Sequence, residues 1–228
     1  MTPMVKRLLI ICGAVWLLEV IVTLWLNMDA FIVHFALTPA RVFPGLEIWQ
    51  LFTWMWLHSP TDLFHILFNC LFLWMFGGTL ELTWGSKAFL RFYLICGIGA
   101  GIVVLVFGLI FDPTTKVLGA SGAIYGLVAA WAISFPNRII YFFGIFPMKG
   151  KHFALIPIGF AVLDFLTRAQ GVSHAAHLGG LAIGALLVTG YWRPSKAIRR
   201  LRYIWLRRKL RVLEGDGSRK PPEGRYWH

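Results

Sequence analysis

Six polar residues stand out because of where they lie. Ser121 sits in the apolar stretch "LGASGAIYGL", residues 118–127, with Gly119 before it, Gly122 after it and Tyr125 four positions on. His65 and Asn69, also four apart, lie in "HILFN", and His174 and His177 open "HAAHLGGLAIG". A serine hydroxyl is a weak nucleophile until a base takes its proton, and a histidine on a facing helix can do that. Acyl transfer also needs donors for the developing oxyanion. His65 and Asn69 fall on one helical face and can both offer N–H groups. If Ser121 begins a helix, the unpaired N–H groups of that first turn point the same way, favoured by the helix dipole. Gly119 would permit the tight turn this requires. The carboxylates within the apolar runs, Glu19 and Asp164, are expected on peripheral helices, and none is in an obvious position to orient the histidine, so the expected unit is a Ser-His dyad.

Taken singly, each residue has a plainer explanation. A lone serine in an apolar helix often bonds the preceding turn. A lone Tyr or His near a helix end anchors at the interface, and an asparagine bridges to a neighbour. Gly122 with Gly126, and Gly180 with Gly184, are small-xxx-small pairs suited to close helix packing. The functional reading gains from the joint pattern, in which three separate apolar segments deliver matching groups to one depth.

The chain must position these groups inside a membrane. Its 228 residues are 58% hydrophobic and 14% charged, against about 25% charged in soluble domains, and the mean hydropathy is +0.69. A spanning helix needs ~20 apolar residues. Six segments answer: 8–27, 62–80, 90–111, 117–135, 152–167 and 174–192. Residues 28–61, broken by Pro39, Pro44 and Pro60, are too irregular to span and too apolar for a solvated loop, so they are expected partly in the interface. "YFFGIFPMKGK" is expected as a re-entrant or interfacial turn. The first segment continues past signal-peptide length with no evident cleavage site and is read as an uncleaved helix. The expected fold class is an all-α polytopic membrane protein.

Charge orients it. Residues 193–228 carry 12 Lys/Arg against 3 Asp/Glu, leaving 10 against 7 in residues 1–192. Six spans place both termini together, with Lys6, Arg7, Lys87, Arg91, Arg138, Lys149, Lys151 and the tail on their side. By the positive-inside rule that side is cytoplasmic, and Ser121, His65 and His177 lie toward the outer face. Within the tail, Ile198, Leu201 and Trp205 share one face of a basic amphipathic helix suited to anionic lipid headgroups. This topological reading of the charge leaves no role for nucleic acid. Cys12, Cys70 and Cys96 lie in apolar runs without metal-type spacing and are read as small hydrophobes.

These residues resemble the rhomboid family of intramembrane serine proteases. The resemblance rests on "GASG" at Gly119–Gly122 with Tyr125, "HILFN" at His65–Asn69 and "AHLGGLAIG" at Ala176–Gly184. It extends to "GGTLE" at Gly77–Glu81 and "GSK" at Gly85–Lys87, over residues 8–192. It implies a six-transmembrane-helix rhomboid-like bundle over 1–192, followed by the basic cytoplasmic tail. It implies Ser121 as nucleophile, His177 rather than His174 as general base, His65 and Asn69 on the oxyanion, and Tyr125 packed on the imidazole. No cofactor or metal is implied. The implied substrates are single-span membrane proteins with helix-destabilising residues near the cut. Where the family often has Trp-Arg, this chain has Trp49-Gln50, which puts one loop contact in question; His58 is read as structural. With neither a transit peptide nor an added soluble domain evident, a prokaryotic inner membrane is expected. Two alternatives remain: a non-catalytic rhomboid-like client-binding protein, and a metal or proton transporter lined by His58, His65, His174 and His177.

Overall fold

A computed structural model describes residues 1–142, 145–167 and 171–190. It divides the chain into two units, Met1–Thr189 and Gly190–His228, and the expected tail helix lies outside the described residues. The first unit is mostly helical. Its main helices are α1 (Pro3–Trp25), α2 (Leu63–Trp84), α3 (Ser86–Phe111), α4 (Ser121–Ser134), α5 (Leu155–Thr167) and α6 (Gly171–Thr189). The first three are long and apolar enough to cross a membrane; α4 and the cores of α5 and α6 are shorter apolar helices. One correction concerns the class: the "YFFGIFPMKGK" region is an antiparallel hairpin, β1 (Ile139–Phe142) with β2 (Phe146–Lys149), in the register Ile139↔Lys149. The chain is therefore not purely α.

α4 is apolar on every side, which in a bundle places a helix at the centre. Nine of its residues, from Gly122 to Trp131, are buried. It packs most extensively on α6, and α3 packs against both. The seam is a backbone contact. A Cβ on Gly180 would stand 1.9 Å from the Gly122 carbonyl oxygen, and one on Gly184 would stand 2.5 Å from that of Gly126. Cβ atoms on Gly122 and Gly126 would instead meet Ala100 and Cys96 of α3 first, so those two glycines serve the α3 contact before that of α6. Backbone cannot yield as a flexible side chain can. Gly180→Ala is therefore expected to cost about 3 kcal/mol or more, at or above the usual overpacking range, read as a lower unfolding midpoint in detergent.

Two carboxylates tie helices together. Glu81 of α2, 3% exposed, accepts from the Met4 and Val5 N–H groups at 2.8 and 2.9 Å and from the Ser86 hydroxyl at 2.6 Å. It thereby satisfies the unpaired first turn of α1. Glu19 lies on a helix expected at the periphery, and little of that helix is buried. Glu19 itself is fully buried, and the His58 N–H donates to its carboxyl group.

Residues 28–61 form short helical turns at Ala30–Phe35, Pro39–Val42, Gln50–Thr53 and Trp54–Trp56. Gln50, at the position of the unusual Trp-Gln pair, is fully buried. Its carbonyl oxygen accepts from Thr38 N–H at 2.9 Å, and its amide donates to Glu47 at 2.6 Å and to the His34 carbonyl at 3.2 Å. The glutamine thus cross-links the loop itself. After α3, the Asp112 carboxylate accepts from the hydroxyls and N–H groups of Thr114 and Thr115. Those bonds, the Thr115 hydroxyl first, hold its carboxyl below the usual range. Leu37 and Val117 then exchange both backbone hydrogen bonds, at 2.9 and 2.8 Å, which fixes the approach to α4.

Candidate active site

Ser121 is the first residue of α4. A helix starting at 117 was expected, but Gly119 has φ +130°, a conformation no helix contains, and its N–H donates to the Trp54 carbonyl at 3.0 Å. No side chain caps α4, so its first N–H groups are left facing the space beside Ser121. His177 is on α6. Its Nε2 lies 2.9 Å from Ser121 Oγ, across 56 positions of sequence. For Nε2 to accept the serine proton, the neutral ring must carry its own proton on Nδ1. Nδ1 is buried without a hydrogen-bond partner among the described residues, so the pair has no third, orienting carboxylate there. Orientation comes from Tyr125, whose ring stacks on the imidazole at 4.3 Å between centroids and 7° between planes. His174 lies beside it, ring to ring at 5.9 Å.

His65 enters from α2. The preceding Asp62 accepts from the N–H groups of Phe64 and His65 at 3.0 and 3.3 Å, which starts the helix there. His65 Nε2 is 2.7 Å from where a Cβ on Gly119 would stand, and that same point is 3.7 Å from Ser121 Oγ. Only glycine at 119 lets imidazole and serine approach so closely. Asn69 is one turn further along, and its amide donates to the His65 carbonyl at 2.8 Å. One of its N–H groups is therefore already engaged within α2. His65, Asn69, Ser121, Tyr125 and His177 line one cavity of about 320 Å³, with Phe64 and Phe68 in its wall.

Five of the six residues singled out in the sequence therefore line one cavity, from α2, α4 and α6, and His174 lies beside the His177 ring. His58 is fully buried beside the site, its ring 5.3 Å from that of His65. Two residues touching this region were missed, Trp16 and Glu19. The signal available for Glu19 was a carboxyl group within an apolar run, where its cost implies a partner. Among the described residues no group of three His, Cys, Asp or Glu side chains could hold a metal ion.

A serine and a histidine in hydrogen-bond contact, with a second histidine and an asparagine lining the same cavity, make an arrangement able to support acyl transfer within a helical membrane bundle. Comparison with known proteins makes that class specific. The Rhomboid domain model matches residues 45–194, so the chain belongs to the rhomboid family and is an integral membrane protein. It is 32% identical over 169 residues to Rhomboid protease AarA of Providencia stuartii, covering 64% of this chain and 60% of that one. It is 33% identical over 150 residues to Rhomboid protease GluP of Bacillus subtilis, covering 65% and 27%. It is also 33% identical over 157 residues to RHOMBOID-like protein 1 of Arabidopsis thaliana, covering 67% and 36%. The matched region spans between about a quarter and three-fifths of these relatives' lengths.

Proposed function

We propose that this protein is an intramembrane serine protease that hydrolyses peptide bonds in or near the transmembrane segments of other membrane proteins. The observation that carries the reading is the 2.9 Å contact between Ser121 Oγ and His177 Nε2. In the proposed mechanism, His177 takes the hydroxyl proton as Ser121 attacks the scissile carbonyl. His65 Nε2–H, the Asn69 amide and the first N–H groups of α4 hold the oxyanion. His177 then protonates the departing amine, and water admitted through the cavity hydrolyses the acyl-enzyme by the same steps in reverse. Tyr125 keeps the imidazole in plane, and Gly119 keeps the oxyanion position open.

The proposed topology has six spans, α1 to α6, both termini cytoplasmic and the cavity toward the outer face. The inner membrane of a prokaryote is the proposed location. The proposed substrates are single-span membrane proteins, and the proposed division is 1–192 as the membrane domain, with residues 28–61 partly interfacial, and 193–228 as a basic tail on anionic lipid.

A fluorophosphonate probe separates this reading from a client-binding one. The purified protein should be labelled at Ser121, and both Ser121→Ala and His177→Ala should abolish labelling. Equal labelling of Ser121→Ala would sink the assignment.

A further inference from the structure

α1 contributes no residue to the cavity, yet two of its side chains reach the segment that supports His65. Trp16 and Glu19, three apart, lie on one face of the helix. The fully buried Glu19 carboxylate accepts from the His58 N–H at 2.9 Å through one oxygen, with the other at 3.2 Å. Trp16 Nε1–H donates to the Ser59 carbonyl at 3.1 Å. Together they hold the N–H at one end and the carbonyl at the other end of the His58–Ser59 pair. Between these two anchors lies the Ser59 N–H, which donates to His65 Nδ1 at 3.4 Å.

That last bond has a chemical consequence. A ring nitrogen that accepts a hydrogen bond carries no proton, so the neutral His65 ring must carry its proton on Nε2. Nε2 is the atom that faces Gly119 and Ser121. The neighbouring His58 does not disturb this by becoming charged, since burial first, then His65, pushes its imidazole down to about 3. A purely structural staple between α1 and the loop could have been placed at any residue. This one brackets the single N–H that selects the His65 tautomer.

We infer that Trp16 and Glu19 are positioning residues that clamp the His58–Ser59 backbone so that the Ser59 N–H holds His65 with Nε2–H directed at Ser121. The inference rests on the proposed oxyanion role of His65 for its effect on rate, and on geometry alone for the tautomer. Both can be read separately. The full-length protein is labelled with ¹⁵N-histidine in micelles, and ¹⁵N–¹H correlation spectra report which ring nitrogen of His65 is protonated, with assignment by the signal lost in His65→Ala. Wild type should show a bare Nδ1 and a protonated Nε2. In Glu19→Ala and in Trp16→Phe the His65 signal should split or average between tautomers, and kcat should fall about tenfold, a fraction of the 10²–10³ that one oxyanion donor is worth, with KM nearly constant. Glu19→Gln, whose amide oxygen can still accept the His58 N–H, should restore both. Trp16→Phe keeps an aromatic ring at its position, so the test survives a Glu19→Ala protein that does not fold. An unchanged His65 spectrum in the clamp variants overturns the inference, whatever happens to the rate. A shifted tautomer in a protein whose wild type shows no Ser121-dependent cleavage would leave the clamp standing and remove the protease reading instead.

Discussion

Ser121→Ala is expected to lower cleavage of a membrane-embedded substrate by roughly 10⁴-fold or more, with His177→Ala nearly as damaging and the double variant no worse than the poorer single one. The reason is that the two groups act as one unit. Without the imidazole the hydroxyl keeps its proton, and without the hydroxyl the imidazole has no proton to take. At 2.9 Å the two are in hydrogen-bond contact. The measurement is turnover of a purified single-span substrate co-reconstituted in vesicles, followed by gel. Losses that multiply in the double variant would mean that the residues contribute independently, and the dyad would have to be abandoned. Such a result would also revive a client-binding role, since the same cavity could grip a chain without cutting it.

The next largest effect is expected at His65. Its replacement by alanine removes the side-chain donor beside Gly119 and should cost 10²- to 10³-fold in kcat, about 2.7–4 kcal/mol, with little change in KM. A donor aimed at a charge that exists only in the transition state leaves ground-state binding almost untouched. Asn69→Ala should cost less, because one of its two N–H groups already serves the His65 carbonyl. The order of the two losses is the test. A larger loss at Asn69 than at His65 would hand the main oxyanion contact to the amide. A rise in KM without a fall in kcat at His65 would make it a substrate-binding group.

Much of the site was legible because its spacing repeats the helix. Ser121 and Tyr125, one turn apart, face His177 together, and His65 and Asn69 share a cavity wall. The expected turn at Gly119 carries φ +130°. What remained illegible depended on contacts distant in sequence. Nothing local to Glu19 indicates His58, 39 positions away. The second helix was expected over about 62–80. It runs on to Trp84, because Glu81 is satisfied by the N-terminal turn of α1. The hairpin at 139–149 was hidden for another reason. Its residues run apolar on both sides rather than alternating in the two-residue period of a strand with one buried face, and among the described ones Ile139, Tyr141, Ile145 and Phe146 are exposed.

The glycine seam between α4 and α6 also bears on how this protein could diversify. The spacing of the two helices that carry Ser121 and His177 is set where their backbones touch, at Gly122 and Gly180, and no rotamer change can widen or close that contact. The aromatic wall of the cavity comes instead from α2, through Phe64 and Phe68, whose contact with α4 is far slighter. The proposed nucleophile and base thus sit on the seam, while Phe64 and Phe68 share α2 with the proposed oxyanion donors His65 and Asn69. A laboratory search for new cleavage preferences therefore belongs at Phe64 and Phe68, with His65 and Asn69 left unchanged, and not on the seam.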